Sequence, residues 1–538
     1  MEGTKKSTKI NDNPIYDQEF IWTRAMGLSA SNRAFELEET LHTEMAPMPP
    51  AFFDDKGNMR SNTKSKLREA LAVTISPRQA ESCEVFVYDV SALLWSISWP
   101  KEGSPLQNYV IAFQNFIVSV LQTSHAILGF DRYKTRSTKT HERLQRQGIA
   151  GMSRVHVLTP NTLSLPREGI LTVAENKVQM NKMLYSSLLE PEFLKLTETF
   201  EHKLTLVGVE DHPIEIYKGT VIRRRDIVSK HEEADLGVAQ HAILSSLENQ
   251  NVTAVTDDTD IFALLIHFYH KHNCTASMYM TSPKNHGKRK TTTTQPLPDN
   301  RLIDIKASVA KHHSLCPFIL QIHGLTGNDT TAALLGYGKK KILNAVNDGK
   351  FDLNVLSPIG DLNSDTSAVA SAATKMFLAT LGKQYIKCKS MTEARIKMWK
   401  QKAKKGPVKL KNLAPTTEAA AENFKRGHLQ VAIWNSAVTG EPPNVNETEY
   451  GYHEKMTAKG PVLVPNLLPP GVEDTPPFVR SMISCNCEKS ECKGTHCSCS
   501  AIGCTIFCKC EAGSICKNPL TKRNPDDGNV NEFESDHD

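Results

Sequence analysis

Nine of the thirteen cysteines lie in one short stretch: Cys485-x-Cys487, Cys492, Cys497-x-Cys499, Cys504, Cys508-x-Cys510 and Cys516. Large apolar residues are scarce there, so burial cannot supply the folding energy, whereas bound metal can. Tetrahedral zinc takes four thiolates, and nine is not a multiple of four. Three zinc ions fit if six sulfurs are terminal and three each bridge two ions, which fills twelve coordination places. The competing reading is a disulfide knot, which needs an oxidising compartment and leaves one cysteine over. The other four cysteines, Cys83, Cys274, Cys316 and Cys388, are scattered as reduced core residues are. Together these features point to cytosol or nucleus.

The chain has 538 residues and a net charge of +5, enough length for several cores. Its start, MEGTKKSTKINDNP, lacks the apolar run of a signal peptide. No window reaches the ~18 uninterrupted apolar residues of a membrane span, so no membrane partner is expected. Charge is unevenly placed. Basic clusters fall at Arg223-Arg224-Arg225, Lys288-Arg289-Lys290, Lys339-Lys340-Lys341 and from Lys397 to Lys411, and the tail after Pro525 is acidic. A single basic run usually only solvates a surface. Four of them beside a metal-binding module favour a nucleic-acid partner.

Residues 1–82 are polar, broken by Pro and Gly, and read as an extension with a few helices. The run CEVFVYD from Cys83 to Asp89 reads as a buried strand. VSALLW and NYVIAFQNFIVSVL follow with helical spacing. HAILGFDRY and KLTLVGVE carry two more strands, ADLGVAQHAILSSLEN a helix, and VTAVTDDTDIFALLIHF another strand. Strands alternating with helices predict an α/β fold over 83–367, a mostly parallel sheet with helices on both faces. Residues 282–300 read as an exposed loop. Beyond it come a helical basic region (368–460), a Pro-rich linker (461–483), the cysteine module (484–519) and a disordered acidic tail (520–538).

The carboxylates take on meaning on that map. Asp89 closes the first strand, Asp131 the second, and Asp258 and Asp260 end the TDDTD stretch. Glu233 and Asp235 open a helix, and Asp329 lies in LTGNDT at another element end. Strand C-termini of a parallel sheet share one edge, where sites form. So many acids at one edge repel one another unless divalent cations neutralise them. Two hard cations ~4 Å apart, held by carboxylates, are the machinery of phosphodiester hydrolysis. Taken singly, an Asp after a strand is more often a helix N-cap, and TDDTD by itself also reads as a solvated turn.

The ordered set resembles the flap-endonuclease (XPG-type) branch of the PIN-like nucleases. VFVYDVSALLWS resembles that family's first strand and acid, LGFDRY its second acid, Glu233-Ala-Asp235 its E-A-E, TDDTD its T-E-D-x-D, and Gly327-Asn-Asp329 its G-S-D-Y. The resemblance implies two Mg²⁺ or Mn²⁺ ions held by Asp89, Asp131, Glu233, Asp235, Asp258 and Asp260, with Asp329 a ligand or outer partner. It also implies a helix-two-turn-helix at Gly336, Gly338, Lys339, Lys340 and Lys341 that grips duplex DNA, and phosphate clamps at Lys139, Arg143 and Arg146 in an arch. The chain departs from the family by some eighty residues before the first strand, by Asp235 in place of Glu, and by Thr330 in place of Tyr. The cysteine stretch resembles the CXC module of tesmin-type proteins, which implies a three-zinc cluster that touches DNA. The pairing of the two is similar to that in multi-copy animal proteins derived from mobile elements. The expected function is a nuclear, structure-selective nuclease, acting on DNA rather than RNA and tethered by its zinc module. The alternative is a catalytically inactive PIN-like scaffold that binds chromatin.

Overall fold

The computed structural model describes residues 9–10, 13–14, 18–29, 37–54, 57–133, 136–140, 143, 154–284, 302–457, 460–487, 492, 497, 499–500, 503–505, 507–510 and 518. Arg146, Cys516, the 288–290 basic cluster, most of the 282–300 loop and the acidic tail lie outside them.

One nine-stranded sheet organises the chain. In sequence order its strands are β1 (Val73–Ile75), β2 (Val85–Asp89), β3 (His125–Gly129), β4 (Leu204–Val207), β5 (Ile214–Tyr217), β6 (Thr220–Arg223), β7 (Val252–Val255), β8 (Met278–Thr281) and β9 (Leu302–Asp304). Their spatial order is β1-β9-β8-β7-β2-β3-β4-β5-β6. The central five, β8-β7-β2-β3-β4, are parallel, and the flanking pairs are antiparallel. The fold is α/β with a mostly parallel sheet, as the alternation of elements predicts.

The helices that matter are α1 (Gln18–Ser29), α2 (Ser65–Leu71), α3 (Gln107–Leu121), α4 (Ala174–Ser187), α5 (Ala234–Leu247), α6 (Thr259–Lys271), α7 (Ile319–Leu325), α8 (Lys339–Asn347), α9 (Thr366–Leu381), α10 (Met391–Ala403), α11 (Thr417–Asn435) and α12 (Pro477–Ile483). Side chains alternate across each strand, and β2 shows the consequence. Val85 and Val87 join the core beneath α5, α6, α7, α9 and α11. Tyr88 joins the opposite core with α3 and α4. A strand buried on both faces reads as a continuous apolar run, which is why CEVFVYD was legible.

Three segments differ from their sequence reading. TDDTDIFALLIHF does not extend the strand: β7 stops at Val255 and α6 begins at Thr259. The apolar run IFALLIHF belongs to a helix buried along Thr259 to Tyr269, which periodicity cannot tell from a buried strand. The N-terminal extension supplies strand β1 and places Ile21, Trp22, Phe52 and Leu67 in the main core. The Pro-rich segment holds a strand, Gly460–Pro465, that pairs with Tyr452–Thr457, and also helix α12. No helix among the described residues is long and apolar enough to cross a membrane.

Candidate active site and cysteine cluster

The parallel register aligns the strand ends that carry the acids. Asp89 is level with Gly129, and Tyr88 is level with Val255. Asp89 caps the turn Val90–Leu93, accepting from the Ala92 amide at 3.3 Å and from Thr256 Oγ1 at 3.3 Å. Asp131 accepts from Ser91 Oγ (2.7 Å), Tyr133 OH (3.2 Å) and the Ala234 amide (2.9 Å). That last bond ties the first turn of α5 to the sheet edge. Gly129 lets α5 come so close, because a Cβ there would lie 2.8 Å from Val238 Cγ2. Glu233 and Asp235 are thereby brought in.

Asp258 caps α6, accepting from the Asp260 amide at 2.7 Å. Asp260, in the first turn of α6, is 2% exposed and accepts from His323 Nε2 at 2.7 Å. His323 is fully buried and stacks on Trp434, with ring centroids 5.1 Å apart. Asp329 follows α7 in a loop that turns at Gly327, with φ 107°. Asp89 and Asp258 thus cap helices and also lie among the clustered acids: each cap uses Oδ1, and Oδ2 of Asp89 accepts from Thr256.

Two lysines enter the same cluster. Lys64, from the N-terminal extension, pairs with Asp260 at 3.3 Å and with Asp329. Lys139 pairs with Glu233 at 2.8 Å and Asp329 at 3.2 Å. Burial, with Asp131 and Asp258 as like-charged neighbours, pushes the Asp89 carboxyl up to about 7. Burial raises Glu233 to about 7 against the pull of Lys139. Burial and Asp260 raise Asp258 to about 6, and burial and Asp258 raise Asp235 well above the usual carboxylate range. Burial opposes ionisation of Asp260 and Asp329 as well. Lys64 and His323 outweigh it at Asp260, holding it well below its usual value, and Lys139 with Lys64 hold Asp329 to about 2.

Carboxylate oxygens of Asp235, Asp258 and Asp260 lie within 4.8 Å of one another. Hard oxygen donors at that spacing suit Mg²⁺ or Mn²⁺. A divalent ion there would offset the burial penalty that raises Asp89, Asp235 and Asp258.

The residues expected to grip DNA are placed unequally. Lys340 and Lys341 are exposed, the latter 3.9 Å above the Tyr337 ring. Gly336 turns with φ 77°, and Gly338 precedes α8 in ordinary extended backbone. Lys339 is a correction. It is 1% exposed and donates to the carbonyls of Gly327 (2.8 Å) and His323 (3.3 Å) and to Thr326 Oγ1 (3.1 Å). Burial lowers its ammonium to about 7. It fastens the Asp329 loop from behind and cannot reach a phosphate. Arg143 turns inward too, pairing with Glu232 at 2.7 Å and lying over Tyr133. In the Arg223–Arg225 cluster, Arg223 pairs with Glu210 and Arg224 with Glu215 and Asp226.

No disulfide joins two of the described cysteines. Sulfurs of Cys485, Cys492, Cys497 and Cys504 lie within 4.8 Å of one another, as do those of Cys485, Cys504, Cys508 and Cys510. The two groups share Cys485 and Cys504, the arrangement that bridging thiolates require. Cys499 lies 3.6 Å from Cys508, and Cys487 packs against the group. Four-sulfur groups that share members suit zinc. Sequence reasoning missed Lys64, His323 and Arg24. Arg24, on α1, donates to Cys499 Sγ at 3.0 Å and to the Gly503 carbonyl at 2.6 Å. Nothing local marks these residues, because their partners lie up to several hundred positions away.

No family model and no curated protein matches the chain. Among solved structures it is similar to a bacteriophage T5 flap endonuclease variant in complex with DNA and metal ions. That match has 12% identity and a TM-score of 0.32, over 66% of this chain and 92% of the other. It is also similar to the catalytic core of Rad2 in complex with DNA substrate, with 15% identity and a TM-score of 0.27, over 54% and 72%.

Proposed function

We propose that the chain is a divalent-metal-dependent, structure-selective DNA nuclease of PIN-like, flap-endonuclease type, working in the nucleus and carrying a zinc cluster of CXC type. One observation carries the reading: seven carboxylates from five chain segments converge on one sheet edge, three of them within 4.8 Å. Most of them are held above their ordinary pKa by burial, a state that folding alone does not favour. Bound Mg²⁺ or Mn²⁺ would activate the attacking water and neutralise the leaving oxygen. The protein's own part is to hold the donors. Asp131 is fixed by three hydrogen bonds, Asp260 by His323, and Asp89 and Asp258 by their helix caps. Exposed Lys340 and Lys341 supply phosphate contacts.

The test is cleavage of labelled flap, hairpin and single-stranded DNA in Mg²⁺ or Mn²⁺, with EDTA and Asp235→Asn as controls. Metal-dependent cutting that the variant loses supports the reading. A protein that binds DNA, cuts nothing and gains no thermal stability from either ion is instead the chromatin-binding scaffold. The two ammonium groups already inside the acid cluster are the observation that favours this second reading.

A further inference from the structure

Direct ion pairs reach only part of the acid cluster. Asp260, Asp329 and Glu233 are matched by the ammonium groups of Lys64 and Lys139. Asp89, Asp131, Asp235 and Asp258 form no ion pair with Lys or Arg among the described residues; hydroxyl and amide donors are all that Asp89, Asp131 and Asp258 accept from. Lys64 and Lys139 also act through space on Asp258 and Asp235, but neither is within ion-pair distance of them, so a first divalent ion is directed there. The position between Asp260 and Asp329 is already filled by Lys64 Nζ.

Lys64 and Lys139 are held differently. The Lys139 side chain is 12% exposed. Lys64 is 26% exposed and lies at the foot of helix α2, after the partly exposed stretch Ser61-Asn62-Thr63. It opens onto a cleft of about 640 Å³ lined by Arg60, Asn62, Asn328, Asp329 and Gly336. That cleft gives its ammonium somewhere to go.

We propose that Lys64 is a built-in cation occupying the second cation position of the acid cluster. The resting protein then takes one divalent ion, at Asp235, Asp258 and the near side of Asp260, and admits a second between Asp260 and Asp329 only when Lys64 withdraws into the cleft. This rests on the hydrolytic reading of the site and refines it. An anionic phosphate in the cleft would offer Lys64 an alternative partner, so completion of the metal pair would be coupled to entry of the nucleic-acid backbone.

The test is Mn²⁺ binding to the full-length, zinc-loaded protein, followed by titration calorimetry and electron paramagnetic resonance without DNA. Wild type is expected to bind one Mn²⁺ with the spectrum of an isolated ion. Lys64→Met is expected to bind two, the second at least tenfold more tightly than any second ion on wild type, with the dipolar broadening of a close pair. Asp258→Asn should weaken the first ion by tenfold or more. Two ions of equal affinity on wild type overturn the inference while leaving the hydrolytic reading intact. A wild-type protein that binds no Mn²⁺ overturns both. If Lys64→Met fails to fold, Lys64→Gln replaces it, and the wild-type stoichiometry decides by itself.

Discussion

Replacing Asp258 by Asn is expected to stabilise the metal-free protein. The Asp258 carboxyl is lifted from an ordinary 3.8 to about 6 by burial and by Asp260. The folded state therefore binds a proton more tightly than the unfolded chain does. Above pH 6 the group is ionised in both states, and the folded state bears the full penalty. A rise of that size corresponds to about 3 kcal/mol. Asn removes the charge and keeps a side-chain oxygen to accept from the Asp260 amide, so the α6 cap survives. In EDTA at pH 7.5 the variant should exceed wild type by up to about 3 kcal/mol in urea unfolding. The advantage should shrink between pH 6 and 4 and vanish below pH 4, where the carboxyl is neutral in both states. Adding Mn²⁺ should narrow the difference. Wild type gains about 2.7 kcal/mol at one hundred times its dissociation constant, and the variant gains less. A variant that is less stable than wild type in EDTA at pH 7.5 would refute the reasoning, because it would mean that the carboxylate is stabilised by partners rather than stressed by burial.

Two further outcomes are expected. Elemental analysis of protein purified under reducing conditions should find three zinc ions per chain, all lost when the chain is cut before Cys485; one ion or none would contradict the shared-thiolate arrangement. Changing Lys340 and Lys341 together to Ala should weaken duplex binding and reduce the salt slope by about 1.8, whereas Lys339→Met should leave the slope unchanged because that amine is buried against carbonyls; equal effects from all three would mean that α8 docks differently.

Much of the fold and site was legible in the residue order, for a physical reason. Strands buried on both faces must be continuous apolar runs, and the parallel connection between them must be a helix, so β2, β3, β4, α3 and α5 stand out. A parallel sheet puts strand ends on one edge, so the residue order alone groups Asp89, Asp131 and Asp258. The cysteine spacing likewise carries its own arithmetic, since thiolates so close in sequence cannot avoid one another. Tertiary structure alone decided what long-range packing controls. IFALLIHF is equally apolar as strand or helix, and only its burial between α5 and α7 makes it α6. Lys339 and Lys340 are chemically the same in sequence. One faces the Gly327 loop and is buried, while the other faces solvent, because α8 packs one side against the core. Lys64 is separated from Asp260 and Asp329 by 196 and 265 residues. Arg24 and Cys499 are 475 apart. Such pairs leave no local pattern, since an ion pair or hydrogen bond depends on distance in space, and only the packed chain sets that distance.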